Sequence, residues 1–397
     1  MVRKLRWLVV LAVLAASCST ADPVTQPTLA PSSSSSATTL PISESTTATS
    51  GVTTSTANPS PPDTAGLTPA DCVEDWPPLT GRTQLTWIEN GLILAVIDGE
   101  LTCLGTAVGD GFQWGPHGDR LLVDQKIRAE GGTLLIRLPP DTAETEWTRP
   151  TGLRMLISDE TGQLAKVELD GTVDPVDLFP AKLTSFAYHP DGLHIALAEE
   201  FGITLARNDG TNPGLLVVAS APTTFSQIQF SDSGTHLWFL AEHDDTRHLH
   251  VIDLEAESRP PDPQLDSSLL PMDEDQRAII IDDELASFVL DPNDATRSAV
   301  TSGECDTATT QIVTSSGQKG DTITGAGVGF VDWNGGFGLA LTQGCGDSKT
   351  LVVVDAIQGV QAGAMTTVAD GITAADVRDR LPDPTFTLDG VTLAGFT

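Results

Sequence analysis

The stretch SFAYHPDGLHIALA, residues 185–198, runs apolar and aromatic, turns at Pro190-Asp191-Gly192, and runs apolar again. FQWGPHGDRLLV from Phe112 and QIQFSDSGTHLWFL from Gln227 repeat the pattern. Each joins two short β-suited runs through a turn with glycine, the residue that enters positive φ most readily. Aligned on that turn, Gly91, Gly118, Gly152, Gly192, Gly234, Asn293 and Gly335 mark seven units, most of them about 40 residues apart. The step from Gly91 to Gly118 is short, and the one after Gly234 is stretched by the polar insertion EAESRPPDPQLDSSLLPMDED. A period near 40 with several short strands in each unit is the pattern of a β-propeller.

One unit shows the physics. LTSFAYHPDGLHIALAEEFGITLARNDG holds three apolar runs separated by turn residues, and LLVVAS adds a fourth. A four-stranded sheet cannot bury both of its faces alone; arranged in a ring, each sheet covers the next and closure protects the edges. A β-sandwich would account for the strands but not for the same turn recurring at repeat spacing. The expected fold is therefore all-β: a single β-propeller of about seven four-stranded blades, with six or eight also compatible with the degenerate units.

At these turns the chain resembles the TolB-type, WD-repeat-like propeller family. That repeat runs from Phe or Trp through Ser-Pro-Asp-Gly and a polar residue into a Leu-Ala strand. FAYHPDGLHIALA is the best copy, FSDSGTHLWFL the next and FQWGPHGDRLLV the third, and the likeness covers residues 85–355. It implies a fold and says almost nothing about function. Ring closure is the open point. The first unit reads as short of its outer strand, because GTAVGD leads straight into the next repeat. TFTLDGVTLAGF (385–396) has strand character, comes after a short helical pattern in TAADVRDRL (373–381), and is expected to return to the first unit and latch the ring.

The N-terminus opens MVRKLRWLVVLAVLAASC. A basic start and an apolar run from Trp7 to Ala16, too short to span a bilayer, give residues 1–17 the form of an export signal. Ala15-Ala16-Ser17-Cys18 resembles a bacterial lipobox, although Leu14 lies one place further from the cysteine than is usual. The resemblance implies cleavage before Cys18 and lipid on its thiol. Residues 18–67 continue as a Ser/Thr/Pro-rich linker that cannot bury a core and is expected to act as a disordered tether. Residues 68–397 are left for the propeller domain. The expected location is extracytoplasmic, on the outer face of the bacterial cell membrane, with the lipid as the only membrane contact.

Four further cysteines, an even number in an exported chain, suggest two disulfides. AVTSGECDTATTQIV (299–313) aligns with ALTQGCGDSKTLVV (340–353), so Cys305 and Cys345 occupy matching hairpin tips of consecutive units. Matching tips lie close, which pairs them; Cys72 with Cys103 is then left by elimination. A formal net charge of −33, with 54 acidic against 21 basic residues, repels phosphates and excludes a nucleic-acid partner.

The usual signatures of chemistry are missing. There is no GxSxG, HExxH, Walker A or GxGxxG. GAGVG (325–329) lacks the glycine spacing of a phosphate loop and reads as the lead into a strand, and SDSGTHLW (231–238) fails the register of a sialidase Asp-box and reads as a turn. His243, His248 and His250, with Asp244 and Asp245, carry donors for zinc or copper, against the competing reading of a polar hairpin. Asp291, Asn293 and Asp294, and Asp170, Asp174 and Asp177, carry oxygens suited to calcium, but the same residues make turns. No cofactor is expected and no catalytic residue is assigned. The expected function is a non-enzymatic scaffold for a protein or peptide of the cell envelope. The alternative is a propeller hydrolase or lyase acting on cell-wall or environmental carbohydrate. Carboxylates converging with an aromatic at the channel mouth would favour the enzyme; a lining of small and apolar residues would favour the scaffold.

Overall fold

The computed structural model describes residues 64 and 66–388, except 80, 98–99, 110, 130–131, 177–182, 201, 212, 220–222, 258–277, 356–358 and 383. The signal segment, Cys18, nearly all of the tether, most of the insertion after Leu254 and residues 389–397 lie outside the described residues. Among the described residues the strands form five four-stranded sheets and one seven-stranded sheet, all antiparallel. The four-stranded sheets are blade 2 (112–137), blade 3 (142–175), blade 4 (185–218), blade 5 (224–282) and blade 6 (285–324). The seven-stranded sheet is two blades sharing one long strand, Met365–Asp379. Its first half pairs with Lys349–Val354 as the last strand of blade 7 (326–372); its second half pairs with Thr83–Glu89 as the first strand of blade 1. Ile372 is the crossing point, with Lys349 on one side and Glu89 on the other. Counted this way the chain is a seven-bladed β-propeller.

Hydrogen bonds link one blade to the next. Trp114 donates its N–H to Asp376 at 3.3 Å, joining blades 2 and 1. Thr145 reaches Gln113 at 3.3 Å (blades 3 and 2), and Ser185 donates to Glu144 at 2.9 Å (blades 4 and 3). His189 meets the Gly234 carbonyl at 3.0 Å (blades 4 and 5). Phe288 donates its N–H to Gln227 at 3.2 Å (blades 6 and 5), Gly327 donates to Thr301 at 2.9 Å (blades 7 and 6), and Asp332 donates to Thr83 at 2.7 Å (blades 7 and 1). The ring is therefore continuous. Packing obeys the two-residue period of a strand. Along His236–His243, Leu237, Phe239 and Ala241 bury against Ile203, Leu205 and Val217 of blade 4, while Trp238 and Leu240 bury against Phe288 and Val300 of blade 6.

Closure departs from the sequence reading in three ways. The closing strand is Ile372–Asp379; of the expected latch 385–396, residues 385–388 bond elsewhere and 389–396 lie outside the described residues. The span 373–381, read as a short helix, is strand as far as Asp379, because pairing with Thr83–Glu89 overrides its weak β preference. Blade 1 is also not missing its outer strand: residues 83–106 give its second, third and fourth strands, and the inner one comes from the chain end. The Gly91 turn therefore joins the second and third strands, whereas the other marker turns join the first and second. That offset explains the short step to Gly118. Residues 385–388 go elsewhere, to blades 4 and 5: Phe386 donates its N–H to Ser233 at 3.2 Å and Leu388 donates to Asp191 at 3.3 Å.

The turn glycines have a second use besides their backbone conformation. A methyl at Gly192 (φ +71°) would stand 2.5 Å from the Arg149 carbonyl oxygen and 2.8 Å from Pro150 Cδ, on the neighbouring blade's turn. At Gly234 (φ +77°) it would stand 2.6 Å from His189 Nε2. Neighbouring turns thus interlock where a Cβ is missing. Gly192→Ala is expected to cost about 2–4 kcal/mol, from forcing alanine into the left-handed region and pushing two blades apart. Gly335→Ala meets nothing within 4 Å and is expected to lose only the conformational part. Chemical denaturation of both variants checks the order; equal losses would contradict the interlock.

Both disulfides expected from the sequence are present, Cys305–Cys345 with Cα atoms 4.8 Å apart and Cys72–Cys103 at 4.4 Å. The first ties the matching second hairpins of blades 6 and 7. The second holds the segment before the propeller on the outer strand of blade 1, where Val73 donates its N–H to Cys103 at 2.9 Å and the Trp76 indole donates to Leu104 at 2.7 Å.

Candidate functional site at the axial mouth

The ends of the inner strands and the first hairpins bring charged side chains from separate blades together. Arg82 leads into blade 1, Arg149 lies on the first hairpin of blade 3, and Asp232 lies on that of blade 5. Asp232 takes both arginines, Arg82 at 2.5 Å and Arg149 at 3.2 Å. Arg82 also donates to Asn293 of blade 6 at 2.9 Å and stands 3.8 Å from Asp379 on the closing strand. Arg149 lies 3.9 Å from Glu146. Asp332 of blade 7 accepts the N–H groups of Arg82 at 2.8 Å and Thr83 at 3.1 Å. Beside this network a recess of about 120 Å³ is bordered by Glu146, Arg149, Asp232 and Asp379 together with Gln113, Trp114, Trp147 and Leu381.

Burial sets the acidity of these groups. It pushes Asp379 up to about 6, with Asp232 adding to the rise and Arg82 opposing it. Glu146 is raised by burial against the pull of Arg149. Glu144, two residues along the same strand, is pushed up to about 7 by burial, with the Ser185 hydrogen bond opposing and Glu146 adding. Asp191 behaves oppositely. Burial alone would raise it, but hydrogen bonds from His189 and His194 hold it well below the usual carboxylate range. A carboxyl raised in the native state keeps its proton where the unfolded chain has lost it, so stability from Glu144 is full below about pH 4.5 and falls as pH rises to 7. Glu144→Gln is expected to raise stability at pH 8 by up to about 3 kcal/mol and leave it unchanged at pH 4.5. Melting curves across that range check this, and an unchanged pH slope would contradict it.

After Asp379 the chain continues across this end of the ring. Arg380 donates its N–H to the Arg82 carbonyl and Leu381 donates to that of Pro116, both at 2.9 Å, before Phe386 and Leu388 reach blades 5 and 4. Leu388 is buried with Phe225, Phe230 and Leu254, and the Phe386 ring lies 6.3 Å from that of His189.

Residues singled out from the sequence are placed differently. His248 and His250 share a strand face as expected, but both are buried, with their rings stacked at 5.9 Å and His250 lying on Phe239 at 5.2 Å. His243 sits at the hairpin tip, 3.3 Å from Asp244. Asp291 is buried on Arg297, Asn293 accepts from Arg82, and Asp294 caps the Thr296 N–H at 3.0 Å. Asp170 caps Thr172 at 2.8 Å; Asp177 lies outside the described residues. Among the described residues no three His, Cys, Asp or Glu side chains converge as a metal site. Arg82, Arg149, Asp232 and Asp379 were not visible as a group, since they lie on different blades with no local spacing.

No known family profile matches the chain, and no curated protein is detectably similar in sequence. Solved structures similar to it include putative TolB from Agrobacterium tumefaciens, at 14% identity and TM-score 0.41, covering 75% of this chain and 98% of that one. Oligogalacturonate lyase in complex with manganese is similar at 11% identity and TM-score 0.48, covering 70% and 92%. The β-propeller domain of Cps50 (Swd1) from Myceliophteria thermophila is similar at 15% identity and TM-score 0.44, covering 66% and 88%.

Proposed function

We propose that this chain is a lipid-anchored extracytoplasmic β-propeller that binds a protein or peptide of the cell envelope and performs no chemistry. The supporting observation is that the charges converging at the mouth satisfy one another: Asp232 holds both Arg82 and Arg149, and the segment 380–388 crosses the same end. Such an arrangement braces a ring and offers a rigid surface on which partners are recognised by shape and polar rim contacts. Lipid on Cys18 and the linker to residue 67 would hold the propeller away from the membrane. A pull-down from native membranes with the full chain, against a Cys18→Ala control, tests this. A reproducible protein partner, and loss of the membrane-bound fraction in the control, are expected. Absence of both would reject the reading.

One observation favours a second reading, a hydrolase or lyase acting on cell-wall or environmental carbohydrate. Glu146 and Asp379, both with a pKa raised by burial, border the recess together with Trp114 and Trp147, and a carboxyl tuned upward suits general-acid work. Release of reducing ends or unsaturated products from a polysaccharide panel would support it.

A further inference from the structure

The segment after Leu381 is seated on the ring by a pattern that any extended peptide can supply. Its seat lies between the first hairpins of blades 4 and 5. Thr385 Oγ1 and the Phe386 N–H both donate to the Ser233 carbonyl, at 3.3 and 3.2 Å, and the Leu388 N–H donates to the Asp191 carboxylate at 3.3 Å. Burial alternates along the segment: Thr385 and Thr387 are exposed, Phe386 is half-buried and Leu388 is buried. The Phe386 ring stands edge-on to His189, with 6.3 Å between centres, and Leu388 packs with Phe225 and Phe230. In an extended chain, side chains two residues apart share a face. The seat therefore reads a two-residue frame, an aromatic and then an aliphatic side chain, each with a free backbone N–H. Main-chain bonds supply affinity in such a mode and alternate side chains supply specificity.

Nothing in that pattern needs a covalent link to the ring. The hydrogen bonds just described all lie at 3.2–3.3 Å, long for the type, and Thr385–Leu388 pairs with no strand. The tether does the rest. Leu381 is fixed to the Pro116 carbonyl at 2.9 Å, which keeps the segment beside its seat at an effective concentration of about 1 mM or more. Charge works against the segment's own sequence. Asp383 and Asp389 flank it, on a chain whose formal net charge is −33. A peptide with the same frame and basic flanks is attracted where the tail is repelled.

We propose that the seat between the first hairpins of blades 4 and 5 is the docking site for a basic, extended peptide carrying an aromatic residue and, two positions later, an aliphatic one, and that residues 384–388 fill it in cis until such a peptide displaces them. This rests on the partner-binding role and deepens it, by naming where the partner docks, what it presents, and what keeps the site closed without it.

The test is a fluorescence-anisotropy titration with the labelled peptide Lys-Pro-Thr-Phe-Thr-Leu-Lys, on the full chain and on a full-length variant carrying Phe386→Ser and Leu388→Ser. The variant, its tail released, is expected to bind with a Kd of about 10–100 μM, and the parent about 10-fold or more weaker, because its tethered tail competes. A control peptide with serine for phenylalanine and leucine keeps both lysines and is expected not to bind. Failure of the variant to bind, or equal binding of the control peptide, would overturn the proposal. Because Leu388 is a core position, a second measurement uses the parent alone. At millimolar peptide, hydrogen exchange over 384–388 is expected to accelerate while 372–379 stays protected. Unchanged exchange over 384–388 would make the tail a permanent clasp and overturn the proposal too. The two readings fail separately. Peptide exchange without a partner captured from membranes would keep the seat and reject the envelope role; a captured partner without peptide exchange would keep that role and reject the seat.

Discussion

A chain ending at Ile372 is expected to give no cooperative thermal transition, whereas one ending at Leu388 keeps one. The first keeps the outer strand of blade 7 and removes the inner strand of blade 1 together with the residues C-terminal to it. Without that strand, Thr83–Glu89 becomes an open edge, and Leu85, Trp87 and Ile88, all under 5% exposed, lose the neighbours that cover them. Each exposed large apolar side chain costs about 1.5–3 kcal/mol. Several together with a lost strand pairing exceed the roughly 5–15 kcal/mol that a domain has to lose. A chain ending at Leu381 separates closure from the crossing segment. It keeps the closing strand and loses Phe386 and Leu388, and is expected to lose about 2–4 kcal/mol while still melting cooperatively. Equal melts for the chains ending at 372 and 388 would contradict closure by this strand.

Arg378→Met is expected to be the most damaging single substitution in the ring, at about 3–5 kcal/mol. Arg378 lies on the closing strand and is 3% exposed. Its Nε donates to the Gly118 carbonyl at 2.7 Å, and Nη1 donates to Pro77 at 2.9 Å and to Gln84 at 3.3 Å. The guanidinium carbon lies 5.0 Å from the Trp114 ring centre and 6.0 Å from that of Trp76. One side chain thus joins the closing strand, blade 1, the turn of blade 2 and the segment before the propeller. Methionine keeps much of the stem but leaves buried acceptors unmet, each worth about 1–3 kcal/mol, and forfeits stacking worth about 1–2 kcal/mol. Relief from burying a charge offsets part of this. Arg378→Lys lacks the planar fork and is expected to recover only part of the loss. Denaturant melts of the two variants provide the measurement; a loss under about 1 kcal/mol for methionine would show that the ring does not rely on this contact.

The repeat was legible because its cause is local. A strand–turn–strand hairpin turns most readily at a glycine that can take positive φ, and six such glycines with Asn293 at the remaining turn, most of them about 40 residues apart, describe a ring. Closure was harder to read. ITAADVRD carries Ala, Asp and Arg where a strand ordinarily carries β-branched residues, and only pairing on Thr83–Glu89 makes it extended. Arg378 resembles a surface residue in the sequence, because nothing local records that Trp76 and Trp114 will cover it. The Asn90-Gly91 turn uses the same chemistry in either hairpin of a blade, so it could not reveal that blade 1 begins one strand late. The cysteine pairing of the two aligned hairpins was readable for the opposite reason, since repeat register alone places Cys305 opposite Cys345. The mouth cluster depends on the ring itself, which brings Arg82, Arg149 and Asp232 together from positions far apart in the chain. His248 and His250 were correctly placed on one strand face, but the sequence could not show that Phe239 buries that face.

The most direct test is hydrogen–deuterium exchange of the intact chain, read at peptides covering 83–89 and 372–379. If the chain end is the inner strand of blade 1, amides in both segments exchange only through global unfolding and share one slow rate. Rapid exchange across 372–379 while 83–89 stays protected would show that the ring is closed in some other way, and the mouth assembled around Asp379 would fall with it.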